Sequence, residues 1–313
     1  MGWRARFLIA VVLCVSACGG GPAGPTDVPP GPSLPPSPSS PPGPVVPPPP
    51  PVPALPQLFV GAGDIGACDN NSQATARILD VTGGTVFTLG DNAYFRGSRD
   101  DFRNCYEPTW GRHKARTRPA PGNHEYESPG AAPYFEYFGA NAGPPGLGYY
   151  SFDIGAWHAI SLNSNVPTGA GSAQATWLRA ELAAHVPSRC TIAYWHHPLF
   201  SSGPNGDSTN MREIWRILYE AGADVVMNGH DHMYERFAQQ DPDGRPDRVR
   251  GLRQFTAGTG GAPLYQPGTP RPNSEVRISA FGILKLTLAS DGYDWEFAPV
   301  SGGPRDAGTG ACH

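Results

Sequence analysis

An α/β body, preceded by a tract with no fold of its own, follows from three features of this 313-residue chain. From Leu58 onward, short apolar runs alternate with helical patterns. Those runs stop at glycine turns that carry an acid, an amide or a histidine. Of the 37 prolines, 18 fall between Gly21 and Pro56, so the excess is local and residues 57–313 have an ordinary globular composition. That body is long enough for one sizeable core. Its strand-end loops are where an α/β architecture places a ligand.

Residues 1–17 read as an export signal: Arg4 and Arg6, then the apolar run Phe7 to Val15, then small residues. The run is too short to span a bilayer. Val15-Ser16-Ala17-Cys18 resembles the bacterial lipobox, which makes Cys18 a candidate lipid anchor to the membrane. Cleavage with release is the alternative, so the expected location is the cell envelope or the medium. Residues 18–56 form a proline-rich spacer; a polyproline II segment rises about 3.1 Å per residue and holds the body away from the surface.

In the body, Leu58 to Val60 and Thr85 to Leu89 read as buried strands, with a helix from Ser72 to Val81 between them. A strand pair follows at Tyr149 to Ile154 and Trp157 to Leu162. Next come a helix capped by Ser172 and running to about His185, a strand at Thr191 to Trp195, a helix at Thr209 to Ala221 and a strand at Asp224 to Met227. Phe281 to Leu288 and Tyr293 to Pro299 read as an antiparallel set.

Beyond Pro56 the chain carries 21 Lys+Arg and 26 Asp+Glu, a net charge of −5. It lacks the basic excess of a stable nucleic-acid binder. An exported protein sees an oxidising compartment, and Cys68, Cys105, Cys190 and Cys312 allow three pairings. Cys68 with Cys105 and Cys190 with Cys312 is the expected set, the second pair tying down the C-terminus.

Five loops hold the chemistry: Gly63-Asp64, Gly90-Asp91-Asn92-Ala93-Tyr94, Gly122-Asn123-His124-Glu125, His196-His197 and Gly229-His230-Asp231-His232. Carboxylate oxygens and imidazole nitrogens suit hard or borderline cations, and a pair of cations about 3.5–4 Å apart needs a bridging ligand. Asp91 is the candidate bridge, and the glycines let the backbone turn sharply around it. Each loop alone is a weak signal; the ordered set is strong. His113, His158 and His185 read as ordinary satisfied histidines. Ser201 to Asn210 and Gly258 to Pro263 are expected to line the entrance, and Glu125 either orients His124 or faces solvent.

This set resembles the calcineurin-like metallophosphoesterases over about Leu58 to Pro299. Tyr94 in its Gly-Asp-x-x-Tyr run and the Gly-His-x-His-x-Tyr-Glu-Arg run from Gly229 make it similar to the purple acid phosphatase branch. The resemblance implies a β-sandwich flanked by helices, in the single-domain form. It implies a dinuclear centre of ferric iron with zinc, manganese or ferrous iron. Asp64, Tyr94 and His232 would bind the ferric ion, Asn123, His196 and His230 the divalent ion, and Asp91 both. His124 would orient substrate or serve the leaving group, while His197 stands where the family has no ligand. The family's acid phosphatases place a histidine nine residues after the His196 position, and here Asn205 stands there.

The leading reading is an exported phosphomonoesterase that cleaves small phosphate esters by in-line attack of metal-held hydroxide. A phosphodiesterase or nucleotidase on the same centre is the runner-up. A surface-binding lipoprotein with a vestigial site is the third reading, and the seven filled ligand positions weigh against it.

Overall fold

A computed structural model describes residues 55–185 and 190–313. The export signal, Cys18 and nearly all of the spacer lie outside the described residues. In chain order the described strands are β1 (Gln57–Ala62), β2 (Thr85–Leu89), β3 (Thr117–Ala120), β4 (Tyr150–Ile154), β5 (Trp157–Ser161), β6 (Thr191–Tyr194) and β7 (Val225–Asn228). They continue with β8 (Tyr234–Phe237), β9 (Arg253–Ala257), β10 (Ser274–Ile278), β11 (Gly282–Leu288), β12 (Gly292–Pro299) and β13 (Asp306–Ala311). They form two sheets, ordered β13-β12-β11-β1-β2-β3 and β10-β8-β9-β7-β6-β5-β4.

The sheets face one another because their strands alternate. Phe59, Phe87 and Leu89 of the first sheet meet Trp157, Ile192, Tyr194 and Phe255 of the second in one buried cluster. The opposite side chains need cover too. Val60 and Val86 pack outward against the helix Asn70–Asp80, whose first turn is capped by the Asp69 side chain accepting from Asn71 N. Ile160, Ala193 and Val226 pack outward against the helices Ala173–Ala184 and Arg212–Glu220. Ile214, Trp215, Ile217 and Leu218 make the buried stripe of the latter, at helical spacing. This is the two-sheet sandwich with helices on both outer faces that the resemblance implies. The helix expected from Thr209 opens with a 3-10 turn, Thr209–Met211, before the α-helix starts at Arg212.

Parallel pairing places the loops. β1, β2 and β3 run parallel, as do β5, β6, β7 and β9. The loops after β1, β2, β3, β6 and β7 therefore leave from the same end of the sandwich, and these carry Asp64, Asp91, Asn123, His196 and His230. Both expected disulfides are present, Cys68 with Cys105 and Cys190 with Cys312. The first anchors the chain just beyond Asp64, and the second ties the start of β6 to the chain after β13.

A polar clasp joins the sheets elsewhere. Asp306 of β13 accepts from Tyr234 Oη and Arg236 Nε of β8, each at 2.7 Å, and from Trp295 Nε1 at 3.1 Å. Burial raises this carboxyl, but Arg236 and Tyr234 overrule it and hold it below its ordinary value. Its stabilising contribution is thus present above the unfolded carboxylate pKa of about 3.9 and is lost as pH falls toward the folded value. Asp306→Ala is expected to cost about 3 kcal/mol in urea unfolding at pH 7. The gap to wild type should narrow below about pH 4; an equal gap at both pH values would remove the ion pair as its cause.

Candidate metal centre

Backbone hydrogen bonding continues past the strand ends and locks the loops together. Asp64 N donates to Gly90 O, Ile65 N to Asp91 O and Gly66 N to Asn92 O. The two aspartates are thereby held side by side, both buried. Asp64, Asp91 and His230 each adopt a left-handed backbone, with φ of 60°, 49° and 72°. Such residues cost roughly 1 kcal/mol or more apiece when they are not glycine. Each follows a glycine directly. At Gly229 what matters is room, since a Cβ would stand 2.7 Å from Asp64 Oδ2; Gly90 is itself left-handed at φ 84°, and a Cβ there would also stand 2.6 Å from His196 Nδ1.

Two sets of donors result. In the first, Tyr94 Oη lies 2.9 Å from Asp64 Oδ1 and 3.1 Å from His232 Nε2, with His232 Nε2 3.3 Å from Asp64 Oδ1. In the second, His196 Nε2 lies 3.0 Å from Asn123 Oδ1 and 3.2 Å from His230 Nδ1. A single oxygen touches both sets: Asp91 Oδ2 is 3.1 Å from Tyr94 Oη and 3.2 Å from His196 Nε2. All seven side chains proposed from the sequence as ligands are therefore gathered at one place.

Cations fit this set better than protons do. His196 Nδ1 faces Leu89 O at 2.7 Å and His232 Nδ1 faces Pro263 O at 2.7 Å, which commits the Nδ1 protons and aims both Nε2 atoms inward. His196 Nε2 then meets an amide oxygen, a carboxylate oxygen and an imidazole nitrogen at once. One proton serves one of them, whereas a shared cation serves all. Although burial opposes it, the Asp91 charge raises His196 to about 9, so the site calls for positive charge at that atom. His230 moves the other way, down to about 4, through burial and the neighbouring His196 charge. Burial and the charges of Asp64 and Asp91 raise the Tyr94 phenol, and a strongly positive centre would reverse that preference.

His124 sits at the rim. Its N–H donates to Asp91 Oδ1 at 2.9 Å, its ring lies against Tyr94 with centroids 4.5 Å apart, and its Nε2 is 3.8 Å from Asp91 Oδ2. Asn205 is held against the Gly229–His232 loop: its side-chain amide donates to His230 O at 2.9 Å and its N–H to Asp231 Oδ1 at 3.1 Å. His197 lies against His230, with centroids 4.4 Å apart, and Ser164 Oγ holds its Nδ1 at 2.7 Å. Burial and the adjacent His196 and His230 charges lower it to about 2, so it stays neutral.

Two expectations change. Glu125 neither orients His124 nor faces solvent: it is fully buried and accepts from Gly122 N at 2.7 Å, Asn92 N at 2.8 Å and Ala93 N at 3.2 Å. It welds the Asp91 loop to the Asn123 loop. Gly258 to Ala262 is buried rather than an entrance; Gly260 N donates to Gly63 O and Ala262 N to Asp64 O, so this segment backs the Asp64 loop. Tyr265 was missed. It stacks on His232 with centroids 4.1 Å apart, and its surrounding Pro/Gly-rich sequence gives no signal for that.

A family model described as calcineurin-like phosphoesterase matches residues 58–234. Among curated proteins, purple acid phosphatase 21 of Arabidopsis thaliana is 31% identical over 271 residues, 74% of this chain and 57% of that protein. Purple acid phosphatase 15 of the same plant is 28% identical over 56% of this chain and 40% of its own length. The chain spans about half the length of the curated relatives it matches. Among solved structures, purple acid phosphatase PPD1 from yellow lupin (Lupinus luteus) seeds superposes with a TM-score of 0.69 at 19% identity, covering 82% of this chain and 54% of that one, a likeness of fold.

Proposed function

The chain belongs to the calcineurin-like phosphoesterases, and on that premise we propose that it is a metal-dependent phosphomonoesterase acting outside the cytoplasm, held to a membrane through Cys18. The observation that carries the reading is the place of Asp91, one of whose oxygens lies between two separate donor sets. Asp64, Tyr94 and His232 would hold ferric iron, and Asn123, His196 and His230 would hold zinc, manganese or ferrous iron. Phenolate and carboxylate suit the harder ion, amide and imidazole the softer. When bound, such a pair supplies a water-derived nucleophile at neutral pH and offsets the charge on the phosphoryl oxygens.

The chain's own residues do the rest. Leu89 O and Pro263 O hold His196 and His232 at fixed tautomer and angle. His124 Nε2 faces the site from the rim, where it can give a proton to the departing alkoxide. Asn205 would hydrogen-bond a phosphate oxygen from the opposite rim but cannot transfer a proton. Leaving-group protonation then falls to His124, and the acid-side second imidazole of the family is replaced by a neutral amide.

The test is the full chain's hydrolysis of a matched aryl phosphate monoester and diester, before and after treatment with a strong chelator. Turnover should favour the monoester by at least about tenfold and fall with metal removal. Preference for the diester would move the assignment to phosphodiesterase; no turnover on either ester by protein carrying two metals per chain would overturn the enzyme reading.

A further inference from the structure

A second cluster of metal-binding side chains lies at the opposite end of β5 from the candidate centre. His158 is near the start of β5, and Asp153 of β4 is its cross-strand partner. Glu181 and His185 stand one helical turn apart at the end of Ala173–Ala184, with His185 as the C-cap. Ligand atoms of Asp153, His158 and His185 lie within 4.8 Å of one another. Glu181 Oε1 is 3.5 Å from His158 Nε2 and 3.4 Å from His185 Nδ1. Ser151 Oγ donates to that same oxygen at 2.5 Å and fixes the carboxylate.

The sequence reads His158 as a satisfied core histidine, and the structure disagrees. The residue is 1% exposed, yet its Nε2 has no hydrogen-bond partner among the described residues. Asp153 Oδ1 sits at the other ring nitrogen, 3.3 Å from Nδ1. A carboxylate on Nδ1 and an unsatisfied Nε2 aimed at a second carboxylate is the arrangement in which histidine serves a metal. Buried nitrogens are rarely left unpaired without such a reason. The distances point the same way. Charge-assisted N–H···O bonds measure about 2.7–2.9 Å. Donors at 2.0–2.2 Å around a tetrahedral ion stand about 3.3–3.5 Å apart, which is the spacing of Glu181 Oε1 and His158 Nε2.

We propose that His158, His185 and Glu181 hold a divalent cation of borderline hardness, zinc in the first instance, with Asp153 orienting the His158 ring. Two imidazoles and one carboxylate match its donor preference, and a fourth position opens to the adjoining cavity of about 340 Å³, which His158 and His185 both line. The two rings stack with centroids 3.6 Å apart. His185 Nδ1 faces the Glu181 carbonyl at 3.0 Å, so binding requires this side chain, one-third exposed at a helix end, to rotate out of the stack toward the ion. The cation thereby staples the helix end to the β4–β5 hairpin, beside Cys190, whose carbonyl accepts from His158 N.

The test compares the full chain with His185→Gln and Glu181→Gln, both outside the candidate centre and both leaving the buried His158 side chain itself in place. Each protein is stripped with chelator, titrated with zinc alone, desalted and assayed for zinc per chain and for melting temperature. Wild type should retain one more zinc than either variant, whatever the candidate centre itself loads. Its zinc-dependent rise in Tm should exceed theirs by roughly 3–5 °C. Equal zinc content with an equal rise in Tm in all three would overturn the proposal.

Discussion

Asp91→Asn is expected to lower turnover of an aryl phosphate on the order of a thousand-fold or more while leaving the fold intact. The loss follows from position. Asp91 Oδ2 stands 3.1 Å from Tyr94 Oη and 3.2 Å from His196 Nε2, and Oδ1 accepts from His124 N, so one carboxylate serves both donor sets and fixes the rim histidine. An amide keeps the shape but loses the charge and presents N–H to one of those neighbours. The fold should survive because Asn tolerates the left-handed backbone at φ 49° as well as Asp does. Loss of the charge also removes the attraction between Asp91 and His196, so melting in the presence of chelator should fall modestly below the wild-type value while remaining cooperative. Activity assay, metal content and melting curve together check it. Wild-type turnover in a variant that binds two metals would remove Asp91 as the shared ligand.

The parts of this site that sequence made legible are those where chain direction does the work. A glycine followed by Asp or His at the end of an apolar run marks the C-terminal ends of β1, β2 and β7, and these three loops, in order with Gly122-Asn123 and Trp195-His196, imply a common edge. Strands β1, β2, β4, β5, β6, β7, β11 and β12 were readable from their apolar and aromatic runs. Three of the others carry no period-2 signal. β3 is Thr-Arg-Pro-Ala, β9 buries Arg253, Gln254 and Thr256, and β13 is a glycine-rich edge strand. Glu125 and Ser164 escaped because their roles are set by what a distant loop presents: three backbone N–H groups for one, the His197 ring for the other. His158 escaped for a different reason. Its sequence surroundings are those of any core strand, and only its unpaired Nε2 beside a helix-borne Glu181 sets it apart.

Gly122→Ala is the second large effect, and it separates two explanations of the glycines. Gly122 has φ −107° and ψ −174°, a conformation open to any residue, so alanine incurs no backbone strain there. A Cβ at this position would nevertheless lie 2.1 Å from Asp91 Oδ1 and 2.2 Å from Asp91 N. Neither atom can move freely. Asp91 O accepts from Ile65 N, and Asn92 N next to it is held by Glu125, so the methyl must push the shared carboxylate or the Asn123 loop out of line. Misplacement of about 1 Å costs on the order of a hundredfold in rate. The variant should therefore lose about that factor in kcat. Gly90→Ala is the contrast: it meets His196 Nδ1 at 2.6 Å and also forces alanine to φ 84°, so it should lose stability as well as rate. A Gly122→Ala enzyme that melts far below wild type would show that the glycine serves the fold. One that melts near wild type yet turns over slowly would show that its missing side chain is what lets Asp91 stand between the two donor sets.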